Sequence, residues 1–218
     1  MANNKPDIRF NGHEEEWEEK KVSSQMLTRR GLTYRPSSIR ERGVKVLRSS
    51  NIDDDTFIES KDDVYVEKSA INIDYAKEND ILITAANGSS RLVGKHCILK
   101  NIEERPMVHG GFMLLGTAEN PFFFNASMGS EWYKNFIKFY VAGGSGAIGN
   151  LNKSDLDEQL VLVPNKLEQQ KIGDLFRNLD ELIEAKEQEL EKLRQIKLAL
   201  LNGMFPSDEH EETNWGGV

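Results

Sequence analysis

A glycine-rich stretch of this chain has the residue types and spacing that bind pyrophosphate in dinucleotide-binding proteins. The segment GSGAIG, Gly144 to Gly149, matches the fingerprint in which glycines let the backbone approach the ligand. That chemistry requires a parallel βαβ sheet around the loop. The sequence after Gly149 is too short to build one and is dominated by a long helical pattern, so it predicts no dinucleotide cofactor.

A second glycine-bearing segment, GSSRLVGKH from Gly88 to His96, is a near match to a phosphate-binding P-loop. Five residues separate Gly88 from Gly94 where the motif has four, and His96 stands where a hydroxyl would hold magnesium. The segment follows the strand-like run DILITAA. Polar loops of this kind are suited to presenting side chains to a ligand.

A third segment, NPFF from Asn120 to Phe123, is a near match to the Asn/Asp-Pro-Pro-aromatic box of amino-group DNA methyltransferases, but it lacks the second proline. No glycine-rich S-adenosylmethionine loop follows an early strand. No serine–histidine–aspartate set or carboxylate pair stands out, and the four histidines lack zinc-ligand spacing to Cys97. The sequence predicts a chain without catalytic residues, bound metal or cofactor.

Charge is unevenly placed along the 218 residues, whose net charge is −8. From Thr28 to Ser50 there are seven basic residues and one acid, whereas six acids face one lysine between Asp53 and Asp63. A basic island rich in arginine favours contact with phosphates or bases. The lone Cys97, the absence of a long apolar run and the absence of a leader predict a cytoplasmic protein outside the membrane.

The elements that must position these residues are mostly short strands. We expect strands at Asp7–Phe10 and in the runs GVKVLRS, DTFIES, DVYVE, DILITAA, RLVGKHCIL, MVHGGFMLLG and LVLVP, with helical pieces near Ser69–Ala76 and Ser130–Val141. The segment EEEWEEKKV suits a helix or an edge strand. The predicted fold class is α+β: a mixed, mostly-β globular domain over 1–164, a long coiled-coil helix over 165–206, and an acidic disordered tail over 207–218.

The long helix has apolar residues at alternating steps of three and four, which is the heptad pattern of a coiled coil. Asn165 is a candidate N-cap after Pro164, and Gly203 and Pro206 favour the stop. Exposing such a row costs about 1.5–3 kcal/mol per large side chain, so the pattern predicts a partner helix. The expected interface residues are Phe176, Leu179, Ile183, Leu190, Leu193, Leu200 and Met204.

Three segments together resemble one half of the specificity subunit of Type I restriction–modification systems. KPDIRFNGHEEEWEEKKV is similar to the opening of that family, and YAKENDILITAANGSSRLVGKHCIL to its strand–loop–strand. GGSGAIGNLNKSDLDEQLVLVPNKLEQQKIGDLF resembles its glycine-rich loop, short strand and helix start, with Pro164, Glu168, Gln169 and Ile172 at matching positions. The resemblance covers about residues 5–206 and implies one target recognition domain followed by a spacer helix.

The resemblance implies a DNA-binding, non-catalytic subunit. Its partners would be double-stranded DNA, methyltransferase subunits that carry S-adenosylmethionine, and restriction subunits that use ATP and Mg. Because the sequence has one recognition unit, it is a natural half-subunit or a truncated chain. An antiparallel homodimer through the helix would supply the second unit. A stand-alone DNA methyltransferase or nuclease, and a coiled-coil adaptor without a DNA role, remain the alternatives.

The residues expected to contact DNA lie in the basic island and in the two glycine-rich loops. Arginine and asparagine suit bidentate readout of guanine and adenine, and serine and lysine suit phosphate. The expected DNA-binding residues are Arg29, Arg30, Arg35, Arg48, Ser49, Asn51, Asn87, Ser89, Ser90, Arg91, Lys95, Ser145, Asn150, Asn152 and Lys153.

Overall fold

The computed structural model describes residues 4–102, 105–141 and 149–205. The chain divides into two compact units, Met1–Phe176 and Arg177–Val218. The strands of the first unit are β1 (Glu18–Lys21), β2 (Met26–Arg30), β3 (Ile39–Arg40), β4 (Val44–Leu47), β5 (Ile52–Asp53), β6 (Thr56–Phe57), β7 (Val64–Val66), β8 (Ile81–Thr84), β9 (His96–Ile98), β10 (Met107–His109), β11 (Met113–Ala118) and β12 (Leu160–Val163). The helices are α1 (Pro121–Met128), α2 (Glu131–Tyr140), α3 (Lys153–Glu158) and α4 (Lys166–Met204).

Two four-stranded sheets form the centre of the first unit. One has the order β2-β11-β8-β9 and is antiparallel throughout. The other has the order β10-β4-β7-β3, in which only the β10–β4 pair is parallel. The hairpin β5-β6 and the antiparallel pair β1-β12 complete the β structure. This arrangement confirms the predicted α+β class with a long C-terminal helix.

Strand β8 separates two apolar layers, because successive side chains point to opposite faces of a sheet. Ile81 and Ile83 pack in the core that includes residues of α1 and α2. Leu82 packs on the other side, in a cluster with Leu47 and Leu115. The run ILIT is therefore buried on both faces. After Thr84 the chain leaves the sheet and continues into the polar loop that begins at Asn87.

Three local predictions were wrong. Residues Asp7–Phe10 form no strand, and only the 3-10 turn Lys68–Ala70 occurs where a helical piece was expected near Ser69–Ala76. MVHGGFMLLG contains two strands in different sheets, because Gly110–Phe112 breaks the run. The NPFF segment, for which no helix or strand was predicted, starts helix α1 with Pro121 in its first turn; its Phe123 is a core residue and its Phe122 is half-buried against that core.

Helix α4 contains 39 residues, and its start is capped by a side chain. The backbone N–H of Glu168 donates a 3.0 Å hydrogen bond to Oδ1 of Asn165, which satisfies one of the free N–H groups of the first turn. Asn165 is thus confirmed as the N-cap. Helix α2 confirms the helical piece predicted at Ser130–Val141.

Candidate nucleic-acid interface

Three of the segments expected to contact DNA meet in the folded chain. Nδ2 of Asn87 donates a 2.8 Å hydrogen bond to Oγ of Ser49, joining the loop after β8 to the loop after β4. The same asparagine accepts the N–H of Ser89 on its Oδ1 atom, at 2.9 Å. The N–H of Leu151 donates to the carbonyl of Ala85 at 2.8 Å, which brings the segment around Asn150 to the same place.

The loops after β4 and β8 and the segment around Asn150 form what we call the loop cluster. The turn Gly110–Phe112 between β10 and β11 also belongs to it. Its Gly110 N–H donates to the carbonyl of Leu47 at 2.9 Å, directly before the Arg48–Asn51 loop. The carbonyl of Phe112 accepts the N–H groups of Ala85 and Ala86 at 2.9 and 3.0 Å. Sequence reasoning did not assign this turn to the interface, although the Gly-Gly pair inside an apolar run is a turn signal.

Several basic side chains of the predicted set are available to a ligand. Arg30, Arg35 and Arg91 are exposed and form no ion pair with the described part of the chain. Arg48 is exposed as well, with Nη1 3.4 Å from the carbonyl oxygen of Asp62. Lys95 is half-buried beside the strand β9. The cluster therefore presents guanidinium groups that can bind phosphate or the edge of guanine.

Arg29 has a different environment from its neighbour Arg30. Its Nη2 donates to Oδ2 of Asp80 at 2.8 Å and to Oγ1 of Thr117 at 3.2 Å, and its side chain is mostly buried. Asp80 is almost completely buried, so it requires this cation. The guanidinium of Arg29 is committed to holding β2 against the start of β8.

Asn51 is completely buried, and its amide organises the Arg48–Asn51 loop from inside. Nδ2 donates to Oδ1 of Asp63 at 2.8 Å and to the carbonyl of Ile58 at 3.1 Å, while Oδ1 accepts the N–H of Arg48 at 2.9 Å. Asp63 in turn pairs with the buried Lys45 at 2.5 Å. Burial acts to raise the pKa of Asp63, but the hydrogen bonds from Lys45 and Asn51 lower it below its usual value.

The third predicted segment is only partly described. Asn150 and Asn152 are exposed, and Asn152 donates a 3.2 Å hydrogen bond to Asp155 at the start of α3. Lys153 pairs with Asp157, which also accepts the hydroxyl of Thr28. Ser89 and Ser90 of the second segment are exposed in the loop after β8. Ser145 and most of the GSGAIG stretch lie outside the described residues.

A buried histidine lies beneath the strand that carries the two arginines. Nε2 of His109 is 3.1 Å from the carbonyl oxygen of Arg29, and the residue is 1% exposed. Burial, with a smaller contribution from the charge of Arg29, lowers the pKa of His109 to about 4. The imidazole is therefore neutral at neutral pH and belongs to the packed support of the cluster.

The first and last parts of the first unit are joined by a buried ion pair. Glu168, which is fully buried in the first turn of α4, accepts hydrogen bonds from Nε and Nη2 of Arg9 at 2.7 and 2.8 Å. The hydrogen bond from Arg9 lowers the pKa of Glu168. The adjacent Gln169 donates to the carbonyl of Pro164 and accepts a hydrogen bond from Asn120.

The second unit contains most of α4, and its apolar side chains are exposed. All seven expected helix-interface residues have between 43% and 73% of their surface exposed. Further apolar residues of the helix, which sequence reasoning left out, are exposed to a similar degree: Leu182, Ile196, Leu198 and Leu201. The apolar stripe is thus wider than a strict heptad seam.

Two other kinds of feature are absent from the part of the chain that the structure describes. In residues 4–102, 105–141 and 149–205, no cluster of three or more histidine, cysteine or acidic side chains could hold a metal ion. Within those same ranges, no helix combines the length and apolar character needed to cross a membrane.

The fold of this chain is similar to that of solved protein structures. The chain resembles the S subunit of a Type-I restriction-modification system from M. genitalium, with 18% identity and a TM-score of 0.55 over 87% of this chain and 46% of that one. It also resembles a chain from a structure on complex assembly and conformational transition of the type I R-M system, with 14% identity and a TM-score of 0.53 over 89% of this chain and 47% of that one.

These similarities concern the fold, and this chain spans about half the length of those two proteins. No curated protein sequence matches the chain significantly. The family model for the Type I restriction modification DNA specificity domain matches residues 14–195, which is most of the sequence. The chain belongs to the family of Type I restriction modification DNA specificity domains.

Proposed function

We propose that this chain is the sequence-reading, non-catalytic subunit of a Type I restriction–modification complex and binds double-stranded DNA through the loop cluster. One observation carries the proposal: the hydrogen bond from Asn87 to Ser49 unites two polar segments far apart in sequence beside the exposed Arg48. Such a convergence of arginine, asparagine and serine side chains suits both base edges and phosphates.

The net charge of −8 does not oppose this function, because electrostatic attraction to DNA depends on the local distribution of charge. Arg30, Arg48 and Arg91 provide exposed positive charge on segments of the cluster or directly next to it, and Arg35 adds exposed charge within the basic island. Arg29 and Asn51 support it, since their polar atoms are already bonded within the chain. The readout residues are therefore a subset of the polar residues in these segments.

The chemistry belongs to partner subunits in this proposal. Methyltransferase subunits bind S-adenosylmethionine and methylate adenine, and restriction subunits use ATP and Mg to translocate and cleave DNA. This chain places them on the target sequence. The incomplete NPFF box supports that division, because its Phe123 is buried in the core and its Phe122 packs against that core.

The exposed stripe of α4 is the proposed assembly surface. A second copy of the same helix, antiparallel and related by a twofold axis, would bury the same residues on both chains. Two identical reading units related by such an axis require a target that is an interrupted palindrome. Lys186 and Lys197 lie within the heptad seam and weaken the helix pair. In this proposal, helices of the methyltransferase subunits cover the part of the apolar stripe that the pair leaves exposed.

The test is selection of duplexes from a randomised DNA pool by the purified full chain, alone and with the methyltransferase subunits, followed by methyl-transfer and cleavage assays on the selected sequence. The proposal expects an enriched, interrupted motif, methylation only when the partner subunits are present, and no cleavage by the chain alone. Absence of DNA binding at low salt in both preparations would favour the adaptor. Methyl transfer or cleavage by the isolated chain would favour the catalyst.

A further inference from the structure

A phenylalanine is exposed at the tip of the turn that joins the loop cluster. Phe112 is 74% exposed, although transfer of a large aromatic side chain from water into a protein core is favourable. Its backbone is fixed on both sides. Its carbonyl accepts the N–H groups of Ala85 and Ala86, and the N–H of Met113 closes the turn on the carbonyl of Gly110 at 2.8 Å.

The neighbouring segments place this turn between two arginine-bearing loops. The N–H of Gly110 binds the carbonyl of Leu47, the residue before Arg48. On the other side, Gly31 follows Arg30 and packs so closely that a Cβ atom there would lie 1.9 Å from the carbonyl oxygen of Gly110. The turn therefore emerges between backbone segments whose exposed arginines suit phosphate binding.

The polar residues of the cluster cannot recognise the methyl group of thymine through hydrogen bonds. Arginine, asparagine, serine and lysine recognise hydrogen-bonding groups, whereas thymine differs from the other bases in the major groove by its 5-methyl group. Recognition of that methyl group requires an apolar side chain, and phenylalanine is one that can provide it. Phe112 is the large apolar side chain that the turn presents.

We propose that Phe112 is a specificity-determining residue that packs its ring against a thymine methyl group in the major groove. This inference rests on the proposed DNA-reading function. It adds an apolar contact that the predicted set of polar residues does not include. The hydrogen-bonded turn fixes the backbone that carries the ring before DNA arrives, which limits the backbone entropy lost on binding.

The experiment compares the full-length wild type with Phe112→Ala in selections from a randomised duplex pool. We expect the variant to lose its preference for thymine at one position of each half-site and to bind the wild-type motif about tenfold more weakly. Its affinity for non-specific DNA and the slope of log affinity against log salt stay unchanged, because no phosphate contact is removed.

Replacement of that thymine by deoxyuridine tests the methyl group itself. The wild type should lose about tenfold in affinity on the uracil duplex, while Phe112→Ala should bind both duplexes equally. The control is Leu162→Ala, which removes another exposed apolar side chain, from the β1-β12 sheet, and should keep the wild-type motif.

Three results would overturn the inference. An identical motif and affinity for Phe112→Ala would remove Phe112 alone and leave the proposed function standing. A rise in fluorescence of 2-aminopurine beside the site on wild-type binding would show insertion between bases rather than contact in the groove. A wild-type chain that selects no sequence, with or without its partner subunits, would remove the proposed function together with this inference.

Discussion

Arg9 and Glu168 are separated by 159 positions in the sequence, yet the guanidinium of one donates two hydrogen bonds to the carboxylate of the other. The pair joins the Ile-Arg-Phe stretch near the start of the sequence to the Glu-Gln start of helix α4, which belong to two of the three segments that carry the family resemblance. Because Glu168 is fully buried, its charge depends on this partner. The two motifs are therefore parts of one structural contact.

The first prediction concerns this pair. Arg9→Ala leaves the Glu168 carboxylate buried without its cation, so we expect a clear fall in the midpoint of urea unfolding followed by circular dichroism. The control is Glu119→Ala, which breaks the exposed pair with Lys166 and should leave the midpoint close to that of the wild type. Equal midpoints for Arg9→Ala and Glu119→Ala would contradict the structural role of Arg9.

The second prediction separates two adjacent arginines. Arg30→Gln and Arg48→Gln should each reduce the slope of log affinity against log salt by about 1, because each removes one phosphate contact. Arg29→Gln should instead lower the stability of the fold, because it leaves the buried Asp80 without its ion-pair partner. Filter binding across salt concentrations and urea unfolding of the same proteins measure both quantities. If Arg30→Gln and Arg48→Gln each kept the salt slope of the wild type, those side chains would be excluded from the interface.

The contrast between Arg29 and Arg30 shows where sequence reasoning stops. Both belong to one basic run, and composition treats them alike. Their roles diverge because alternate residues of a strand point to opposite faces, and the partner of Arg29 is Asp80, on another strand start. By contrast, helix α4 was predictable because its periodicity and its Asn165 cap are local signals. Register, burial and ion pairing across distant segments carry no such signal.

The same limit explains Asn51 and Phe112. Asn51 belongs to a polar loop, but it is buried with its amide hydrogen-bonded to Asp63 and to the backbone of Ile58 and Arg48. Phe112 belongs to an apolar run, but it is exposed because Gly110 and Gly111 turn the chain before β11. In each case the tertiary neighbours reverse the expectation from residue type.

The third prediction tests the support of the Arg48–Asn51 loop. Asn51→Ala removes the amide that bonds Asp63, Ile58 and the N–H of Arg48, and should lower the free energy of unfolding by about 1–3 kcal/mol. It should also weaken DNA binding while leaving the salt slope unchanged, because Arg48 remains present. The matched control is Asn72→Ala, which changes an exposed asparagine outside the predicted DNA-binding set and should leave stability and DNA binding close to those of the wild type. A stability equal to that of the wild type would show that the Asn51 amide is dispensable.

The fourth prediction is a dependence of stability on pH. The pKa of His109 is about 4 in the folded chain, against about 6.5 when unfolded, so the unfolded state takes up the proton first. The contribution of His109 to the free energy of unfolding is fully present above about pH 6.5. It decreases by about 3 kcal/mol as the pH falls to 4. His109→Asn should flatten this part of the curve in urea titrations at successive pH values. Parallel curves for the two proteins would assign the loss to other groups.

The last prediction concerns the exposed stripe of α4. Leu190 and Leu193 are about half exposed and lie in the middle of the heptad pattern. If the helix pairs with a second copy, Leu190→Glu with Leu193→Glu places charges inside the contact and should convert dimer to monomer in sedimentation equilibrium. Burying charge in an apolar contact is costly, and like charges from the two copies repel.

The control for this experiment has the same change in charge on the outer face of the helix. Gln188→Glu with Gln195→Glu introduces two carboxylates at positions outside the heptad seam, where water solvates them. This variant should remain dimeric, so loss of the dimer in the leucine variant alone would locate the contact on the predicted stripe. A wild-type chain that sediments as a monomer without partner subunits would refute self-pairing. The apolar stripe would then be a contact surface for helices of the methyltransferase subunits.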